Sequence, residues 1–398
     1  MEKILIYPIK SMLHNKDVID NNSKTLIEEL AKFGHFSFEI VKDVKSLNNH
    51  KSLILVQSGG SENKFLKEVY PFFKGPYYLL TYGANNSLAA SLEILSFLNQ
   101  KNEKAEVLHG DINYIHERLD YLFNLKPEEE IELGIFGKPS DWLISSDVDV
   151  NLAKKIFNIQ LVNYDNKQIE ERILNYINND YQFDFKKLFN KETLIKSYAI
   201  YEALKDLVEK DNLAGFTIRC FDVLMITKQS ACFALAKLNA DGIIASCEGD
   251  VPAMISAYIV KKLLNKPAFQ VNPQFIYQDS NVVSFAHCTI PLNMAKDYEF
   301  MSHYESNMGL GIKANIYEGD CTVFKISSNL KEFYVDEGKL EQDEFSNTRC
   351  RTQVKVKFNN DVKYFLKSSL GNHHQIIYGH HQKELIDFLS SLGLKRVI

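Results

Sequence analysis

Three short segments carry residue types that could do chemistry together. The first is GIIASCEGDVP, where an apolar run ends in Cys247-Glu248-Gly249-Asp250 and a helix begins with Pro252 near its first turn. In open α/β sheets ligands bind at the carboxyl ends of strands, and Glu248 falls at that place. The plain alternative is that Asp250 caps the helix and Glu248 is a solvated loop acid. The second segment is FAHCTIP, in which His287 ends an apolar strand and Cys288 follows it. His287 can be a metal ligand or a satisfied core histidine. A zinc site using both His287 and Cys288 is disfavoured, because neighbours on a strand point to opposite faces. The third is GNHHQIIYG. Gly371 and Asn372 suggest a tight turn, and only one of His373 and His374 can then face inward. His380 and His381, beyond Gly379, read as the solvated start of a last helix rather than as a His-rich metal tract.

Other chemistries find little support. QSGGSEN follows a strand and could hold a phosphate or hydroxyl group through backbone N–H groups. It lacks the glycine spacing of a dinucleotide fold and of a P-loop. No serine nucleophile elbow is present. The net charge of -5 gives no basic footprint for nucleic acid. No run of 18 apolar residues occurs, so no membrane span is expected. The opening MEKILIYPIK reads as a first strand rather than a secretory leader, which points to a cytoplasmic protein. The six cysteines form no CxxC pair and are expected as free thiols.

The elements that must position these residues follow from periodicity. At 398 residues the chain calls for two or three domains. In residues 1–128, strand-like runs (ILIYPI, FSFEIV, SLILVQ, GPYYLLTYG, AEVLHGD) alternate with helical patterns. One such helix, LAASLEILSFL, would be capped from Asn85-Asn86-Ser87. Alternation of this kind predicts a parallel sheet with right-handed crossovers. KPEEE reads as a linker. Residues 129–268 repeat the pattern through IELGIFG, IQLVNYD, FTIRCF, GIIASCEGD and PAFQVN, with a long charged helix from Leu188 to Lys210. In residues 269–398 strand-like pieces follow one another without helices, which predicts an antiparallel barrel or sandwich, closed by the helix KELIDFLSSLG. The expected fold is therefore α/β, with two doubly wound domains followed by a β-rich C-terminal domain.

Taken in order, CEGDVPAMIS, PAFQVN, VVSFAHCTIP, TRCRTQVKV and GNHHQIIYG resemble the L-fucose isomerase and L-arabinose isomerase family. The resemblance is strongest from about Thr217 onward. LILVQSGG and ANNSLAASLEIL match in style. It implies two Rossmann-like domains, a barrel-like third domain and a homo-oligomer with the site near a subunit boundary. It implies aldose–ketose isomerisation of a small sugar or polyol, with manganese, or else magnesium, held by acidic and histidine side chains. Glu248 matches the first family carboxylate. His287 resembles a histidine ligand of the arabinose branch. His374, with His373 as the alternative, matches the C-terminal ligand. Asp250, Asn372 and His373 then fall where substrate is bound.

The chain departs from that pattern at one place. The strand after the CEGD helix should end in an acidic ligand, and PAFQVNP puts Asn272 there. An amide oxygen can touch a metal but cannot accept a proton at neutral pH. The expected metal set is thus Glu248, Asn272, His287 and His374, with Glu248 and Asn272 at the catalytic positions. Two alternatives stay open: a sugar-binding relative without catalysis, and another carbonyl or polyol reaction such as epimerisation.

Overall fold

The computed structural model describes residues 2–11, 16–123, 130–177 and 189–398. The chain divides into two compact units, Met1–Glu128 and Glu129–Ile398. The predicted linker KPEEE, up to Glu129, lies outside the described residues, as does Leu188.

The first unit is built on a parallel sheet of β1 (Glu2–Ile9), β2 (Phe36–Ile40), β3 (Ser52–Val56), β4 (Tyr77–Leu80) and β5 (Ala105–Leu108), in the order β2-β1-β3-β4-β5. Successive residues feed opposite faces. Leu5, Ile54 and Val56 pack with Ala90, Ile94 and Leu98 of the helix Ser87–Gln100. Ile4, Ile6, Leu53 and Leu55 pack with Leu26, Leu30, Ile115 and Leu119 of the helices Lys16–Ala31 and Ile112–Phe123. Burial on both faces explains why SLILV is continuously apolar. Asn86 precedes the helix as expected but makes no side-chain cap bond, because its backbone is left-handed, with φ +58°.

The second unit holds two sheets that matter for the site. A four-stranded parallel sheet contains β6 (Ile131–Phe136), β7 (Ile159–Tyr164), β8 (Gly215–Ile218) and β9 (Ile244–Cys247), in the order β7-β6-β8-β9. The strand expected over FTIRCF stops at Ile218, and Cys220 already begins the helix Cys220–Thr227. The helix expected up to Lys210 runs over Lys191–Lys210, started by the Asn190 side chain accepting from the Thr193 N–H.

The C-terminal strands form a closed barrel. β10 (Phe269–Tyr277), β11 (Val282–His287), β14 (Gly319–Ile326), β15 (Glu332–Gln342), β16 (Thr352–Phe358) and β17 (His374–Tyr378) run β14-β17-β10-β11-β16-β15, and β15 pairs back to β14. Their alternate residues Phe269, Val271, Val283, Phe285, Val323, Val354, Val356 and Ile376 share one core. PAFQVN therefore leads into the barrel, antiparallel to β11 and β17, instead of joining the second parallel sheet. A hairpin of β12 (Ala295–Met301) and β13 (Gly311–Ile316) lies alongside, and β18 (Lys395–Val397) joins β15 in parallel after the closing helix Gln382–Ser391. Because β10 lies between β17 and β11, Asn272 stands on the strand between those that bring in the histidines. All six cysteines are free thiols. No helix among the described residues is long and apolar enough to cross a membrane.

Candidate active site

The site is assembled where β9 gives way to the helix Val251–Leu264. Asp250 is the N-cap of that helix, its carboxylate accepting the Ala253 N–H at 2.8 Å, and Pro252 occupies the first turn. The turn before it is tight. Glu248 has φ +65° and Gly249 has φ +73°. A Cβ on Gly249 would lie 2.5 Å from the Lys138 carbonyl oxygen, so only glycine fits. The Glu248 carbonyl accepts from the Ser140 N–H at 2.9 Å, which holds the left-handed turn in place.

This turn aims Glu248 at two histidines. Glu248, His287 and His373 each offer a ligand atom, and the three atoms lie within 4.8 Å of one another. One Glu248 oxygen is 3.5 Å from His373 Nε2, and the other accepts the Trp142 indole N–H at 2.7 Å. At 3.5 Å the Glu248–His373 contact is an ion pair, longer than a hydrogen bond, and His373 Nε2 is left without a hydrogen-bond partner although buried. The His287 and His373 rings are 5.5 Å apart.

Each histidine is oriented through its other nitrogen. His373 Nδ1 is 2.9 Å from Asp250 Oδ2, and His287 Nδ1 is 2.8 Å from the Thr289 hydroxyl. A carboxylate or hydroxyl holding the far nitrogen of a ligand imidazole is the usual support of a metal site, since it fixes tautomer and ring direction. Lys325, itself buried, donates to the His373 carbonyl at 2.8 Å and compensates Asp250.

Charge in this dry setting is finely opposed. Burial alone would push the Glu248 carboxyl up, but the His373 and His287 charges and the Trp142 bond bring it to about 2. Burial likewise opposes ionisation of Asp250, and Lys325 and His373 bring it to about 2. Burial would lower His373, yet Glu248 and Asp250 raise it to about 9. His287 drops to about 4, through burial first and the neighbouring His373 second. The two carboxylates thus favour the charged form of His373, and burial favours the neutral form of His287.

The structure separates the expected set. His373 takes the place expected for His374. His374 points into the barrel core, among the rings of Phe285, Tyr334, Tyr364 and Phe365. Both its nitrogens are engaged, Nδ1 with the Asn372 carbonyl at 2.8 Å and Nε2 with the Tyr364 hydroxyl at 3.0 Å. Burial holds it neutral, pulling it down to about 3. Asn372 is exposed and takes part through that carbonyl. Asp250 is wholly buried, so it positions His373 rather than meeting a substrate. Asn272 has a buried Oδ1 with no hydrogen-bond partner. Its strand neighbour is Ala286, one residue before His287. Asn272 Oδ1 and His373 Nε2 are thus buried polar atoms with unused hydrogen-bonding capacity, and the donor set fits a cation.

Several participants had no signal in the sequence. Trp142 and Lys325 act through contacts over long separations, 106 and 48 residues, whereas Thr289 lies two residues from His287 in an otherwise unmarked position. Glu305 also feels the Glu248 charge, and burial is the main reason its carboxyl is raised. Trp142 and Phe221 meet edge to face at 5.0 Å, and Phe221 meets His303 at 5.9 Å, giving an aromatic border. A cavity of about 280 Å³ lined by Asn239, Asp241, Lys261 and Asn293 lies at the other end of β9, away from this turn.

Comparison with known proteins gives one consistent name. The chain is 18% identical over 325 residues to a sulfoquinovose isomerase of Alkalicoccus urumqiensis, covering 75% of this chain and 73% of that protein. It is 18% identical over 369 residues to the sulfoquinovose isomerase of Priestia megaterium, covering 84% and 82%. A sulfoquinovose isomerase of a Clostridium species is 23% identical over 217 residues, covering 52% and 48%. No family model matches the chain.

Proposed function

We propose that this chain is a sugar isomerase, interconverting an aldose and a ketose, with Glu248, His287 and His373 as its cation-holding group. The observation that carries the reading is their convergence, with His373 Nε2 buried and without a hydrogen-bond partner, and with Asn272, whose Oδ1 is likewise unpartnered, in register with Ala286 next to His287. One carboxylate, two neutral imidazoles and an amide oxygen suit manganese or magnesium better than a thiolate-selective metal. When bound, the cation would polarise the sugar's carbonyl and hydroxyl oxygens. The similarity to the sulfoquinovose isomerases supports both the reaction class and the sugar substrate. The same reading carries a homo-oligomer, as the resemblance to the fucose and arabinose isomerases implies.

The chain's own residues then divide the work. Glu248 faces the histidines with one oxygen and is steadied by Trp142 on the other. Asp250 and Thr289 fix the tautomers, so that the nitrogens away from them face the site. Aldose–ketose exchange moves one hydrogen between neighbouring carbons, and an ene-diol route needs a base to take it and an acid to return it. Glu248 is the base. As the second group we assign Glu305, an exposed carboxylate whose protonated form is favoured first by partial desolvation and also by the Glu248 charge. Asn272 cannot take either proton role.

Asn272 also favours a second reading, a protein that binds the sugar without converting it. Incubation with manganese and a panel that includes sulfoquinovose, hexoses and pentoses, in deuterated water, separates the two. Ketose formation with solvent deuterium at the exchanged carbon supports the ene-diol route. Saturable binding of a sugar with no product across the panel supports the second reading and removes the first.

A further inference from the structure

The first unit contains a second group of side chains of metal-ligating type, His35, His116 and Asp120. His116 and Asp120 are four residues apart on the helix Ile112–Phe123, which puts both on one face. His35 reaches the same point from the turn between the helix Lys16–Ala31 and β2. His35 Nδ1 is 2.9 and 3.0 Å from the two Asp120 oxygens, and His116 Nε2 is 3.4 Å from Asp120 Oδ2. All three ligand atoms lie within 4.8 Å of one another.

His116 makes this more than an ion pair. Its residue is only 8% exposed, yet its Nε2 has no hydrogen-bond partner and is aimed at Asp120. The Phe33 ring stacks on it at 3.9 Å and 15°, fixing its plane. A buried ring nitrogen held in one direction and left unsatisfied costs stability. A cation between the three side chains removes that cost. It takes the lone pairs of both imidazoles and neutralises the carboxylate they share.

We propose that His35, His116 and Asp120 bind a borderline divalent cation of the zinc class. Two imidazole nitrogens and one carboxylate oxygen are a common zinc donor set, and the exposed His35 side leaves the fourth position to water. The ion would tie the turn before β2 to the helix Ile112–Phe123, a stabilising clamp within the first unit.

The test uses the full chain and zinc alone. Zinc uptake is measured by equilibrium dialysis in the unaltered protein and in His35→Gln/His116→Gln, with the melting temperature followed in parallel. The double variant should hold one equivalent of zinc less per chain and lose the zinc-dependent rise in melting temperature. Asp120→Asn should weaken that same equivalent about tenfold or more. A second pair, Glu248→Gln/His373→Gln with and without the two added changes, isolates this group from the candidate active site. There, one equivalent should bind in the first protein and none in the second. Equal zinc uptake with and without His35 and His116, in both backgrounds, overturns the proposal.

Discussion

Replacing Asp250 by asparagine tests the candidate site without touching any group proposed to meet cation or sugar. Asp250 uses two acceptor oxygens, one for the Ala253 N–H at 2.8 Å and one for His373 Nδ1 at 2.9 Å. Asparagine has a single acceptor oxygen. If that oxygen keeps the cap, the new NH2 faces His373 Nδ1, and the ring proton must move to Nε2, where it blocks the lone pair beside Glu248. If the amide flips, the tautomer is kept but the helix loses its cap, at about 1 kcal/mol. In either case the buried Lys325 ammonium, which donates to the His373 carbonyl, loses the nearby Asp250 charge that favours it, and removing one charge of a directly paired buried couple costs roughly 3–5 kcal/mol, an upper bound here. Asp250→Asn should therefore lower stability by about 3 kcal/mol and weaken manganese binding roughly 10–100-fold. The two effects separate in Asp250→Asn/Lys325→Met, which should regain most of the stability and none of the affinity. Urea unfolding and calorimetric manganese titration of the three proteins measure both. Manganese binding as tight in Asp250→Asn as in the parent would refute the role given to the Asp250–His373 pair.

Three further outcomes are expected. Glu248→Gln should abolish sugar conversion, and it should also silence the emission of Trp142, the single tryptophan, as a reporter of magnesium binding, since its indole N–H rests on that carboxylate; a magnesium-dependent emission change that survives the substitution would remove Glu248 from the site. Asn272→Asp should tighten manganese binding, because an anionic oxygen is a better ligand for a hard cation than an amide; unchanged binding in a calorimetric titration would show that Asn272 Oδ1 faces elsewhere. In the barrel, burial opposes ionisation of Asp343, but the Ser284 hydroxyl and Arg349 hold its carboxyl below the usual range, so its contribution is present above the unfolded value of about 3.9 and lost as pH falls below it. Asp343→Asn should thus be less stable than the parent near neutrality, with the gap closing in acid, and a gap that stays constant in urea titrations across that range would contradict this.

The barrel was legible because VVSFAHC and QVKVKF alternate strictly, and the structure puts Val283, Phe285, Val354 and Val356 on its inner side. The choice between His373 and His374 was not legible. Both are fully buried. The inner side of β17 meets the barrel core, and its outer side meets the helix Val251–Leu264, where Gln375 donates to the Ala253 carbonyl. A strand covered on both faces loses the contrast of polar and apolar positions that would name the inward residue. The capping role of Asp250 could be read from its place before Pro252. Its second role could not, since His373 lies 123 residues further on. The hairpin of β12 and β13 escaped notice because AKDYEFM exposes charged residues on a partly covered strand, blunting its alternation.

The backbone at Glu248 adds a separate line of argument. Asparagine accounts for most of the described non-glycine residues with positive φ, as its side chain tolerates the left-handed region. The exceptions are Lys228, Glu248 and Leu330. Lys228 closes a helix, where such a conformation is ordinary. Glu248 instead stands between a strand and a helix start, in a turn that glycine or asparagine would adopt at lower cost, and a residue held there carries about 1–3 kcal/mol of strain. From this position the Glu248 side chain reaches both the Trp142 indole and His373. A carboxylate held against the backbone's preference, partly buried, and answered by a histidine that a fully buried second carboxylate holds in place fits a site shaped for chemistry better than one shaped for folding alone.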